Sequence, residues 1–81
     1  MMQRVYAVRD LKAGFMPPTI QMNDEVAKRN FAYSVSNNDG IVGFQPSDFD
    51  FYYLGEFDEE RGLFNQTDLP LLIMNGSECV K

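Results

Sequence analysis

The chain has 81 residues, 44% of them hydrophobic, so it fits one domain spanning residues 1–81 and is not a disordered chain. No apolar run is long enough for a membrane span and none begins the chain as a signal peptide would, so we expect a cytosolic protein without membrane contact. The net charge of −5 argues against a protein that simply coats nucleic acid, because neutralising phosphates takes a surplus of Lys and Arg.

Strands are predicted near the N-terminus. Residues 3–9 carry apolar side chains on both faces of an extended segment, which is typical of an interior strand, and we expect this strand to pair with the one at 50–57. Turn residues follow at 10–14, and Pro17 and Pro18 keep the next segment extended. Residues 19–21 are predicted as a short strand at an edge of the sheet, because the prolines before it donate no hydrogen bond.

A helix is predicted from about residue 24 to residue 36. Asn23 or Asp24 can cap its N-terminus, and an Asn-Asn-Asp-Gly run ends it. Apolar residues that recur every four positions form the stripe expected to pack on the sheet, namely Ala27, Phe31 and Val35. Beyond it, residues 40–45 contain two glycines and are predicted as a loop whose apolar side chains plug an edge of the core, and 46–49 as one helical turn.

The aromatic stretch at 49–58 is predicted as a central strand. Read with a period of two, one of its faces carries Phe49, Phe51, Tyr53, Gly55 and Phe57. We expect Phe51, Tyr53 and Phe57 to form an aromatic core. Gly55 interrupts the row, and a glycine inside a strand usually marks a bulge or the close approach of another backbone.

A hairpin is predicted after this strand, with Gly62 suited to positive φ in the connection at 58–62 and a returning strand at 63–65. The apolar cluster at 69–74 is either a C-terminal strand or a coil that covers the sheet. Together these elements predict an α+β fold, a small and mostly antiparallel sheet of three to five strands with one main helix packed on one face.

The sequence favours a protein that binds over one that catalyses. With no histidine, the commonest general base and metal ligand are both absent, and no Gly-rich phosphate loop or Cys cluster replaces them. We therefore expect no enzyme activity, no cofactor and no metal site. Adjacent acids at 58–60 are more typical of a solvated hairpin tip than of a cation site. The single cysteine, Cys79, has no partner for an internal disulfide.

The sequence leaves two kinds of binding partner as alternatives. Single-stranded nucleic acid is held by cations on its backbone and by rings under its bases, and the candidate cations are Arg4, Arg9, Lys12, Lys28 and Arg29. Tyr6, Phe15 and Tyr33 are the candidate stacking rings. Acid-first pairs along the helix, Asp24 with Lys28 and Glu25 with Arg29, offer a structural explanation for two of these cations.

The alternative is a protein-binding surface in the acidic half, which contains Glu56, Asp58, Glu59 and Glu60. Such a surface would dock on a basic host or viral protein. Apolar residues such as Phe15, Met16 and Met22 would favour a protein contact, including self-association into a homo-oligomer, if they form one patch.

The order of several motifs resembles one known family. These are residues 8–14 (Val-Arg-Asp-Leu-Lys-Ala-Gly), Pro17-Pro18, 27–31 (Ala-Lys-Arg-Asn-Phe), 46–49 (Pro-Ser-Asp-Phe) and 52–58 (Tyr-Tyr-Leu-Gly-Glu-Phe-Asp), followed by Gly62. Nearly the whole chain is similar to the small non-structural protein of gokushovirus-type microviruses, the tiny single-stranded DNA phages. The resemblance implies a non-enzymatic protein of the host bacterial cytoplasm that acts on viral single-stranded DNA or the replication complex, in single-strand synthesis and packaging.

Overall fold

The structure is a computed structural model that describes residues 2–36 and 45–79. In chain order its elements are β1 (Met2–Asp10), β2 (Gly14–Phe15), β3 (Thr19–Gln21), α1 (Asp24–Ser36), a 3-10 turn (Pro46–Asp48), β4 (Phe49–Asp58), β5 (Leu63–Asn75) and a second 3-10 turn (Gly76–Cys79). The predicted α+β class is confirmed. The loop expected at 40–45 lies, except for residue 45, outside the described residues.

Strand β1 is the centre of a five-stranded antiparallel sheet. It pairs with β4 along its whole length on one side, and with β2 and β3 on the other. The main strand order is therefore β2-β1-β4-β5, with β3 beside β1. The interior position of β1 and its pairing with the aromatic strand were predicted, because apolar side chains on both faces of β1 have to be covered. The edge position of β3 was predicted from the prolines before it, which donate no hydrogen bond.

Helix α1 packs on one face of this sheet. The side-chain oxygen of Asn23 accepts a hydrogen bond of 2.9 Å from the Val26 N–H and so caps the helix N-terminus. The stripe of Ala27, Phe31 and Val35 is buried, as predicted. Phe31 stacks on Phe51 of β4 with ring centroids 4.9 Å apart, so the core lies between the helix and the middle of the sheet.

The aromatic face of β4 is divided by an irregularity at its centre. Tyr6 pairs with Tyr53 but the adjacent Val5 pairs with Gly55, so Leu54 is an extra residue and the alternation reverses there. Phe51 and Tyr53 lie on the helix side, whereas Phe57 lies on the opposite side. The expectation that Phe57 belongs to the core is therefore wrong, because the strand is not regular from one end to the other.

Strand β5 is longer than the returning strand predicted from the sequence. The hairpin forms as expected, with Gly62 at φ 67 and its N–H donating to the Asp58 carbonyl at 2.8 Å. The open question about 69–74 is resolved, because these residues continue β5 to Asn75. Pro70 is accommodated because β5 is at an edge of the sheet. Residues 67–70 are outside the strand register with β4, since Gly55 pairs with Gln66 and Tyr53 with Leu71, although the Thr67 hydroxyl donates to the Leu54 carbonyl at 3.1 Å.

Candidate nucleic-acid interface

The sheet face opposite α1 carries exposed aromatic rings, and the described part of the chain places no helix over it. We call it the helix-free face and define it by two ring pairs, Phe15 with Tyr52 and Phe57 with Phe64. The ring centroids are 5.3 Å apart in the first pair and 4.8 Å apart in the second. Phe15 is 49% exposed and Phe64 is 65% exposed, so both rings are accessible to a ligand.

The strand register explains why these rings share one face. Ala7 and Arg9 of β1 point away from the helix, and their partners are Tyr52 of β4 and Phe15 of β2 respectively. At the other end of β1, Gln3 pairs with Phe57, which in turn pairs with Phe64. The reversal at Leu54 is what moves Phe57 out of the core and onto this face.

A hollow of about 300 Å³ lies beside Phe64, which is the ring of the two pairs that lines it. Its floor is the Val5–Gly55 pair, and its other lining residues are Pro18, Leu54, Glu56, Phe64, Asn65 and Gln66. The hollow is apolar at its base, and amide and carboxylate groups are among the lining residues, which is the composition of many sites for small planar groups.

Arg9 is the predicted cation that the structure places on the helix-free face. Its guanidinium carbon lies 5.9 Å from the centroid of the Phe15 ring, which is within the range of a cation–π contact. The Arg9 side chain is exposed and its strand partner across β4 is Asp50. Lys12 follows in the turn after β1, where its ammonium group is 3.4 Å from an Asp48 carboxylate oxygen.

Arg4 lies on the opposite side, between β1 and the start of α1. Its guanidinium donates to Asp24 at 2.9 Å and to the Tyr6 hydroxyl at 3.2 Å, and it lies 4.1 Å from the centroid of the Tyr53 ring. The Tyr6 hydroxyl also donates to Asp24. Arg4 therefore joins the helix to the sheet through its Nε–H.

This cluster shifts the pKa values of its members. Burial and the hydrogen bond to Asp24 raise the pKa of Tyr6 to about 12. The hydrogen bond from Tyr6, together with Arg4, lowers the pKa of Asp24 from its usual 3.8. The groups are thus held as a neutral phenol and a carboxylate, which is the protonation state that the helix contact requires.

The remaining predicted cations, Lys28 and Arg29, lie on α1, with Arg29 exposed and Lys28 partly buried. The five predicted cations therefore do not form one surface. Of the three predicted rings, Tyr6 is fully buried, Tyr33 is exposed on α1, and Phe15 alone lies on the helix-free face. Sequence reasoning missed Tyr52, Phe57 and Phe64 as surface rings, although the glycine at position 55 was a signal that the alternation could reverse.

The residues of the predicted acidic surface differ in their exposure and in their hydrogen bonds. Asp58 is 7% exposed and accepts hydrogen bonds from the backbone of Glu60 and Arg61 and from the Arg61 guanidinium, which lower its pKa. It therefore stabilises the hairpin turn. Glu56 is the strand partner of Arg4, and Glu59 accepts a hydrogen bond of 2.9 Å from Gln3. Glu59 and Glu60 are exposed at the tip of the hairpin.

The described residues, 2–36 and 45–79, also bear on metal binding and on membrane insertion. No group of three or more acidic, Cys or His side chains is arranged to hold a metal ion there. The helix in these segments is not long and apolar enough to cross a membrane.

These features define a small α+β domain with one helix-covered face and one face of exposed rings. A family model described as phage ORF5 protein matches residues 3–79, and the chain belongs to this family of phage proteins. The phage part of the resemblance is thereby confirmed. No match was found among curated proteins, and none among solved structures.

Proposed function

We propose that this phage protein binds single-stranded viral DNA through the helix-free face. It acts without catalysis in the host bacterial cytoplasm, during single-strand DNA synthesis or packaging, alone or with the replication complex. Its relatives in this proposal are the non-structural proteins of gokushovirus-type microviruses, which the chain resembles at residues 8–14 and 52–58.

One observation carries the proposal. The helix-free face holds two ring pairs, each with one exposed ring, and Arg9 lies beside Phe15. Unstacked bases bind to such rings, and each base–ring stack contributes about 1–3 kcal/mol. The strand partners of the two ring pairs, Ala7 and Gln3, are roughly 13 Å apart along β1 at about 3.3 Å per residue. This spacing leaves room for more than one base along the face.

The charge distribution indicates what kind of binding to expect. Arg9 supplies a cation on the helix-free face, but the chain as a whole carries a net charge of −5. For single strands each neutralised phosphate adds about 0.7 to the slope of log affinity against log salt concentration, so with few phosphate contacts we expect a shallow salt dependence. Stacking rather than phosphate contact then supplies most of the affinity.

The test is fluorescence anisotropy of a labelled oligo(dT) titrated with protein at low and moderate salt. Phe15→Ala and Phe64→Ala should each weaken binding about 5- to 150-fold, because each variant removes a stacking ring. Tyr33→Ala is the matched control, since Tyr33 is 63% exposed but lies on α1. Arg9→Ala should reduce the salt slope, whereas Arg29→Ala on the helix should leave it unchanged.

Absence of binding at low salt would exclude DNA as the ligand. Loss of binding in the Tyr33 and Arg29 variants, with the Phe15 and Phe64 variants unaffected, would place the DNA on the helix surface and contradict the role of the helix-free face. Circular dichroism of every variant confirms that the fold is retained.

A second candidate, a protein-binding role, is favoured by the exposed carboxylates of Glu59 and Glu60 at the hairpin tip. A basic host or viral protein would be their partner. Capture of a partner from infected cells by the wild-type chain, and its loss on Glu59→Lys and Glu60→Lys, supports this role. A partner that is captured equally by the charge-reversed chain counts against it.

A further inference from the structure

We propose that Asn75-Gly76 is a self-modification site, at which the Asn75 side chain deamidates when the second 3-10 turn opens and the product then keeps the turn open. The sequence contains an Asn-Gly pair at this position alone. The proposal does not depend on DNA binding, because it concerns the C-terminal end of β5 and requires no reactant other than water.

The chemistry needs only the two residues and water. The backbone nitrogen of Gly76 loses its proton and bonds to the side-chain carbonyl carbon of Asn75, and the side-chain nitrogen leaves as ammonia, so that a succinimide ring forms. Water then opens the ring at either carbonyl, which leaves an aspartate or an isoaspartate and makes the chain more negative by one charge. Glycine favours ring closure, because it has no Cβ atom beside the attacking nitrogen.

The packing of β5 explains why these two residues are adjacent. The side-chain nitrogen of Asn75 donates to three oxygen atoms where the first 3-10 turn joins β4, namely the Ser47 carbonyl (3.2 Å), the Phe49 carbonyl (3.1 Å) and an Asp50 carboxylate oxygen (2.8 Å). A Cβ atom at position 76 would collide with the carbonyl oxygen of Pro46. The fold therefore calls for an amide donor followed directly by a glycine.

The same contacts oppose the reaction in the folded chain. The nitrogen that has to leave as ammonia is the one that the three acceptors hold, and the Asn75 side-chain oxygen accepts a hydrogen bond of 2.9 Å from the Ser77 N–H. Gly76 is buried against the Pro46 backbone, so the peptide that attacks is also packed in place. The rate of deamidation is therefore set by the fraction of molecules in which the second 3-10 turn is locally open.

The product cannot rebuild the closed turn. A carboxylate at position 75 has no N–H to donate, and in the closed turn it would face the carboxylate of Asp50 and two backbone carbonyl oxygens. The second 3-10 turn contacts α1, and its Cys79 packs against the core cluster. Deamidation therefore detaches the segment that covers this part of the core and makes Cys79 accessible.

Peptide mapping by mass spectrometry after incubation at mildly alkaline pH measures the reaction. The chain unfolded in guanidinium chloride should deamidate at Asn75 before its other asparagines, and the folded chain should react there at least about tenfold more slowly. Asp50→Ala removes the charged acceptor and should accelerate the reaction of the folded chain by about tenfold or more. Asp68→Ala is the matched control, since Asp68 is exposed on β5, and it should react at the wild-type rate.

Asn75→Asp imitates the product and tests its effect on the turn. Cys79 in this variant should react with a thiol reagent at least about tenfold faster than in the wild type, because the turn is open. Asn65→Asp adds the same charge at an exposed position of β5 and should leave the rate unchanged. The deamidated wild-type chain, separated by ion exchange through its extra charge, should react as Asn75→Asp does.

Three outcomes would overturn the proposal. The first is a folded wild-type chain that deamidates at Asn75 as fast as the unfolded chain. The second is an Asp50→Ala chain, shown by circular dichroism to be folded, that reacts at the wild-type rate. The third is a deamidated wild-type chain in which Cys79 reacts as slowly as it does before deamidation.

Discussion

Gly55 of β4 lies directly against the backbone of Asn65 in β5. A Cβ atom at position 55 would be 2.2 Å from the Asn65 carbonyl oxygen and 2.9 Å from the Cα of Gln66. Both neighbours are backbone atoms, so no side-chain rotation can relieve the contact. Gly55, Asn65 and Gln66 also line the hollow, so this close approach of the two strands is part of the candidate site.

Gly55→Ala should therefore destabilise the protein by about 2–4 kcal/mol, because the added methyl group forces β4 and β5 apart and φ at this position is +153. Urea denaturation measures the loss. Gly62→Ala is the control, since it also has positive φ but nothing within 4 Å of the added atom, and it should cost only about 1 kcal/mol. Equal losses in the two variants would mean that backbone conformation, and not the close approach, is the cause.

The alkaline limit of stability should be set by Tyr6. The folded state holds the pKa of this phenol at about 12, above its usual 10.0. Between these values the unfolded chain has lost the proton and the folded chain keeps it, so the free energy of unfolding falls as pH rises from 10 toward 12.

Urea denaturation at pH 9 and near pH 11.5 checks this prediction. The wild-type chain should lose up to about 2 kcal/mol more than Tyr6→Phe over this range, because the variant has no phenol to ionise. Tyr33→Phe, at an exposed position on α1, should behave like the wild type. An alkaline loss that is identical in the Tyr6→Phe variant and the wild type would contradict the assignment.

The acid limit of stability should depend on Asp58. Its pKa is held below the usual 3.8 by the Arg61 guanidinium and the backbone of the turn. As pH falls below 3.8 the unfolded chain takes up the proton first, so stability is lost through the lower pKa of the folded state. Asp58→Asn should lower the urea midpoint at neutral pH and lose less stability on acidification. Asp68→Asn, at an exposed position on β5, should leave both quantities unchanged.

Phe31 should be the largest single contributor from the helix to stability. It is 4% exposed and stacks on Phe51, so Phe31→Ala leaves a cavity between α1 and the sheet. We expect a loss of about 3–5 kcal/mol in the free energy of unfolding. Phe31→Leu retains most of the volume and should lose less than about 1.5 kcal/mol. If the two variants are equally unstable, the stacking geometry matters more than the filled volume.

Local signals were sufficient to predict the helix. The Asn23 cap and the four-residue spacing of Ala27, Phe31 and Val35 are all within the segment, and the observed bounds of α1 match the predicted ones. The same holds for the hairpin at Gly62, whose positive φ is a property of the turn itself.

Features that depend on contacts distant in sequence were not predicted. The side on which Phe57 lies depends on the extra residue at Leu54, which is a feature of the pairing between β1 and β4. Likewise, the ion pair of Arg4 with Asp24, at 2.9 Å, was not predicted, because the fold brings together residues that are distant in sequence. A list of cations in a sequence gives no information on which of them the fold has already paired.

The position of β1 at the centre of the sheet has a consequence for how the chain acquires its structure during synthesis. Met2 pairs with Asp58, so one whole side of the first strand stays without its neighbour until most of the polypeptide has left the ribosome. Contacts so distant in sequence slow folding, because a large loop has to close before they form. We therefore expect nascent chains that are truncated before β4 to remain sensitive to protease, and resistance to appear in a single late step.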